Sequence, residues 1–93
     1  MSIKTTSYDS ATYLKTKEDV AAYLEAAFDE GDPALIAHAL GVVARAEGMT
    51  EVAKQTGLTR ASLYKALSTD GNPEFSTVLK VVQALGLKMR VAA

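Results

Sequence analysis

The chain contains no cysteine and no tryptophan, a single histidine, and only two prolines. Without cysteine there are no disulfides to staple a small core and no thiolate ligands for a metal; the absence suits a reducing compartment. One histidine, His38, with no second His and no Cys, gives neither a recognisable metal set nor a nucleophile–base pair. No Gly-rich phosphate loop is present, and the carboxylates of residues 18–32 come without a matching base or cofactor motif. The expectation is therefore a protein that is not an enzyme and holds no cofactor or metal. No run of about 20 apolar residues occurs, and the opening stretch "MSIKTTSYDSATYLK" lacks the apolar centre of a signal peptide. A cytoplasmic location and no membrane partner are expected.

What is present is a globular composition: 93 residues, 48% apolar and 23% charged, enough for one small domain. Scarce proline and long Ala/Leu/Val tracts favour helix. The net charge of −1 hides a division: residues 1–47 carry four Lys/Arg against eight Asp/Glu (−4), whereas residues 48–93 carry six against three (+3). Such an asymmetry suggests two surfaces with different partners.

Residues 1–15 lack periodicity and read as an N-terminal arm, leaving 16–93 as the domain. Thr16 with Asp19 three residues on forms a carboxylate variant of the capping box, and Val20, Tyr23, Leu24, Ala27 and Phe28 make one helical stripe that Gly31 closes. Asp32-Pro33 starts a second helix as N-cap and first-turn proline; it runs to about Glu47, burying Ile36, Leu40, Val43 and, at its edge, Leu35 and Ala39. A third helix begins near Thr50 and stops at Gly57. A fourth takes Thr59 as N-cap and reaches about Leu67. "STDGNPEF" is a turn-rich loop. A fifth helix from Phe75 places Phe75, Val78, Leu79, Val82 and Leu85 on one face and stops at Gly86. The final "LKMRV" alternates apolar and basic residues, a short strand pattern. A lone strand cannot satisfy its backbone, so its partner is the N-terminal arm, a second copy or another protein; otherwise 87–93 is a frayed tail. The fold class expected is all-α: five helices, an N-terminal arm and a short C-terminal β-strand.

Within this order, "TEVAKQTGLTRASLYKAL" (residues 50–67) packs helix, Gly57 and helix into eighteen residues. A sharp turn between helices requires a residue tolerant of positive φ. Ala53, four residues earlier, permits a close crossing, and Val52, Leu58, Leu63 and Ala66 clamp the pair. This spacing is a helix-turn-helix signature; an ordinary corner in a helical bundle would share much of it. If the unit binds DNA, the second helix enters the major groove N-terminal end first. Arg60 then suits the O6 and N7 acceptors of guanine, and Ala61 a thymine methyl. Lys65 reaches a base or phosphate, and Thr59, Ser62 and Tyr64 touch the backbone, bracketed by Lys54 and Gln55 from the preceding helix. A solvated surface accounts equally well for Lys54 and Lys65, and half-buried packing for Tyr64.

Several blocks in order, "EGDP" (30–33), "ARAEGMTEVAKQTGL" (44–58), "R-SLYKALS" (60–68 around Ala61), "GNPEF" (71–75) and "ALGLK" (84–88), resemble the probable addiction module antidote family. These are HigA-like antitoxins with a Cro/repressor-type helix-turn-helix, and the likeness spans about residues 18–91. The resemblance implies a type II antitoxin that binds and silences a small basic RelE/ParE-like toxin and represses its own operon by binding operator DNA. It implies Thr59, Arg60, Ala61, Ser62, Tyr64 and Lys65 as the DNA-facing set. For the toxin only a region follows, the arm and first two helices, with Tyr8, Tyr13, Glu18, Asp19, Glu25 and Asp29 as candidates; a solvated acidic face is the alternative for each carboxylate. Reading two half-sites calls for a homodimer, with Val82, Leu85, Leu87, Met89 and Val91 as interface candidates. The alternatives are a stand-alone repressor of the same fold without a toxin, and a helical protein-interaction module that binds no DNA.

Overall fold

The computed structural model describes residues 14–68 and 70–93. The expected arm falls almost wholly outside them, and Tyr8 and Tyr13 with it. Five helices follow one another: α1 (Lys17–Glu30), α2 (Pro33–Glu47), α3 (Met49–Thr56), α4 (Arg60–Ala66) and α5 (Phe75–Ala84). Local chemistry sets their starts. The Thr16 hydroxyl accepts from the Asp19 N–H at 3.0 Å, and the Asp19 carboxylate accepts from the N–H groups of Thr16 and Lys15, each at 3.2 Å. Asp32 caps α2 by accepting from the Ala34 N–H at 3.0 Å, ahead of Pro33, whose missing donor would be unpaired in a first turn anyway.

Helix α2 lies at the centre, against α1, α3 and α5, while α3 also touches α4 and α5. Its buried residues Ala37, Ala39, Leu40, Val43 and Ala44 join Leu24 and Ala27 of α1, Met49 and Val52 of α3, Leu63 of α4, Leu67, and Val81, Val82 and Leu85 at the end of α5. Small residues on α2 let the other helices approach closely, and no aromatic ring among the described residues is fully buried.

Two expected core positions lie at the surface. Leu35 is 38% exposed on the outer edge of α2, and Phe75, the first residue of α5, is 67% exposed. The helical stripe places Phe75 on the core side, but it begins its helix and has no preceding turn to pack against.

The expected C-terminal strand is absent: among the described residues there are only helices, turns and irregular segments. The helix end explains where its first residue goes. Gly86, in the left-handed region at φ 78°, donates its N–H to Gln83, and the Leu87 N–H donates to Val82 at 3.2 Å. This pair of bonds is a Schellman motif. It folds Leu87 back onto the core, so the alternating pattern begins on a residue spent on capping, and residues 88–93 pair with no strand among the described residues.

Candidate nucleic-acid interface

Helices α3 and α4 are joined by residues 57–59 alone. Gly57 turns the chain with φ 79° and ψ 11° while its N–H donates to the Ala53 carbonyl at 2.9 Å. A side chain there would be placed in a conformation that costs roughly 1–2 kcal/mol. Thr56 closes the corner from inside, a contribution that apolar periodicity does not reveal. Its buried hydroxyl donates to the Val52 carbonyl at 2.8 Å and accepts from the Leu58 N–H at 3.3 Å. One side chain thus satisfies backbone groups on both sides of the turn.

Leu63 is the single buried residue within α4, followed one turn later by Leu67. Ala66 is half-buried, whereas Arg60, Ala61, Ser62, Tyr64 and Lys65 are exposed, as is Thr59 before them. Thr59 serves chiefly as the cap. Its oxygen accepts from the Ser62 N–H at 3.0 Å and its hydroxyl donates to Ser62 Oγ at 2.9 Å. Ser62 therefore keeps its own hydroxyl hydrogen available as a donor, whereas Thr59 has both functions engaged. On α3, Lys54 and Gln55 are exposed, and the Gln55 amide donates to Glu51 one turn back at 2.7 Å. Between residues 49 and 68 three cations (Lys54, Arg60, Lys65) face one carboxylate, Glu51.

The acidic candidates separate into two kinds. Glu18, Glu25 and Asp29 are exposed on α1, and at seven- and four-residue spacing they fall within an arc of about 40° on one face. Asp19 is off that stripe and half-buried, with its carboxylate committed to the cap. Glu25 and Asp29 also line a groove of about 450 Å³ beside Leu24, Phe28, Met89 and Arg90. Of the residues named for an interface between copies, Val82 and Leu85 are interior to their own chain, at 4% and 8% exposure. Leu87 is half-buried, while Met89 (38%) and Val91 (102%) stand at the surface. His38 is exposed on α2, and no group of three or more His, Cys, Asp or Glu among the described residues is arranged to hold a metal ion. No helix among them is long and apolar enough to cross a membrane.

Over the described residues the fold is all-α, with an acidic stripe on α1 and an excess of cations across α3 and α4. The family described as "Probable addiction module antidote protein" matches residues 4–93, and the chain belongs to it. That match reaches well into the opening residues that the sequence resemblance left out. A relative from Haemophilus influenzae (strain Rd), described as an uncharacterized protein, is 44% identical over 84 residues, covering 90% of this chain and 87% of its own length. No solved structure matches. Membership in an antidote family implies an antitoxin role with a cognate toxin as partner.

Proposed function

We propose that this protein neutralises a small basic toxin of the RelE/ParE class by binding it, and represses its own operon by binding the operator through α3, the Gly57 turn and α4. The carrying observation is the make-up of α4: Leu63 is buried and Ala66 half-buried, while Arg60, Ala61, Ser62, Tyr64 and Lys65 are all exposed. A short polar helix held on a corner by one apolar knob is suited to a major groove. Arg60 reads guanine, Ala61 meets a thymine methyl, and Lys65, Ser62 and Tyr64 hold phosphates with Lys54 and Gln55. Thr59, exposed while it caps α4, joins them at the phosphate backbone.

The acidic stripe Glu18, Glu25 and Asp29 faces the basic toxin, a pairing that charge complementarity steers. Two copies associate through the C-terminal segment, whose exposed Met89 and Val91 suit the same segment of a second copy. Val82 and Leu85 support this surface from the core. The chain acts in the cytoplasm by binding, not by catalysis, as a domain over residues 16–93 preceded by an arm.

Gel shift on the DNA upstream of its own gene, with Arg60→Ala beside the native chain, tests the operator reading. Binding that falls tenfold or more in the variant supports it. Unchanged binding removes Arg60 from the interface, and no shift at low salt, with or without toxin, leaves a protein-binding module. Co-expression with the adjacent open reading frame, read as growth rescue and pull-down, tests the toxin; failure of both with DNA binding intact leaves a stand-alone repressor.

A further inference from the structure

Two glycines do not owe their place to backbone freedom. Gly41 lies in the middle of α2 and Gly71 in the loop before α5, and neither has a positive φ. Glycine inside a helix is less stable than alanine, so Gly41 calls for another reason. A Cβ built on it would lie 2.6 Å from the Leu67 carbonyl oxygen and 3.1 Å from Nη1 of Arg45. A Cβ on Gly71 would lie 2.7 Å from both the Lys65 carbonyl oxygen and the Ala66 carbonyl carbon, and would press harder still on the Ala66 carbonyl oxygen. Apart from the Arg45 nitrogen, these are backbone atoms, which cannot rotate aside. All three carbonyls belong to the last turn of α4 or the residue that follows it.

We infer that Gly41 and Gly71 are positioning residues for α4, seating the end of that helix so that its outward face stands at the depth and angle needed to read DNA. This rests on the operator-binding reading above. Helix α4 is seven residues long and has one buried residue of its own, so it follows its ends. Gly57 and the Thr59 cap hold one end; the two glycines hold the other, Gly41 from the core side and Gly71 from the loop that returns across it, where its N–H donates to Ser68 at 2.9 Å. A methyl group at either position moves the last turn by several tenths of an ångström and tilts Arg60, Tyr64 and Lys65 together. Contacts to base edges depend on that placement; phosphate attraction depends on it far less.

The test compares Gly41→Ala and Gly71→Ala with Gly31→Ala in the full chain. Gly31 has φ 72° and open space around its missing side chain, so alanine there strains the backbone between α1 and α2 without touching α4. Expected is a tenfold or greater fall in the ratio of operator to non-specific DNA affinity for the first two variants, with toxin pull-down retained. Gly31→Ala is expected to lower Tm but keep the ratio. Amide NMR shifts of residues 59–67 should move in the first two variants and not in the control. An unchanged ratio and unchanged shifts in both variants overturn the inference. So does an equal loss of ratio in Gly31→Ala at a matched drop in Tm, or the unfolding of both alanine variants, which would make the glycines matter for stability alone. If the native chain binds no DNA, the operator reading fails separately, and the amide shifts alone decide whether the glycines seat α4.

Discussion

Helices α2 and α4 contribute to one core and are built in opposite ways. Six residues of α2 are buried, from Ala37 to Ala44, whereas α4 buries Leu63 alone. The first helix is held by area removed from water; the second is far below the length at which an isolated helix persists and is held by its ends. On the proposed reading, stability rests with the first and recognition with the second. The outward side of α4 can be altered with little effect on the fold, while the middle of α2, from Ala37 to Ala44, has almost no such freedom.

Substitutions sharpen that contrast, beginning with the largest effect. Leu40→Ala, at a position with no exposed surface, is expected to lower unfolding free energy by about 2–5 kcal/mol, read by urea denaturation; a loss below about 1 kcal/mol would deny α2 its central place. Arg60→Ala is expected to weaken operator binding by about 1–3 kcal/mol while stability stays within about 0.5 kcal/mol; an equal fall in both would mean that α4 carries the fold after all. Thr59→Ala removes the cap and is expected to reduce Tm by an amount equivalent to about 1 kcal/mol, with Thr59→Asn recovering most of it, since Asn can cap as well. Lys65→Ala should have the smallest effect, lowering affinity evenly across DNA sequences and reducing the salt slope by about 1; a change in sequence preference instead would make Lys65 a reader of bases.

Much of this arrangement was legible because its signals are local. The capping pair Thr16 and Asp19, the Asp32-Pro33 start and the Gly57 turn each act within four residues, and each appears where its chemistry predicts. What escaped depends on distant partners. Helical spacing counts Phe75 and Leu35 as core because it cannot tell a full turn of neighbours from a helix end or edge. Thr56 reads as a polar residue on a surface helix, yet its hydroxyl is enclosed by the corner. Gly41 and Gly71 look like a weak helix position and a loop breaker until the carbonyls of α4 are placed against them. The alternation in 87–91 is real, but alternation states only which face a strand would show and not whether a neighbour exists to pair with it. The candidate site divides similarly: the caps formed by Asp19 and Thr59 follow from local spacing, and the exposed face of α4 from Leu63 and Leu67 being its inward residues, while the bond between the Thr59 and Ser62 hydroxyls required the structure.

Tyr64 stands 43% exposed, half resting on its own chain and half turned outward, in a molecule with no tryptophan. Replaced by tryptophan, it would become a lone indole lamp on the helix surface. Its emission would dim or shift when another molecule covers that side, and it would report occupancy directly, without a dye.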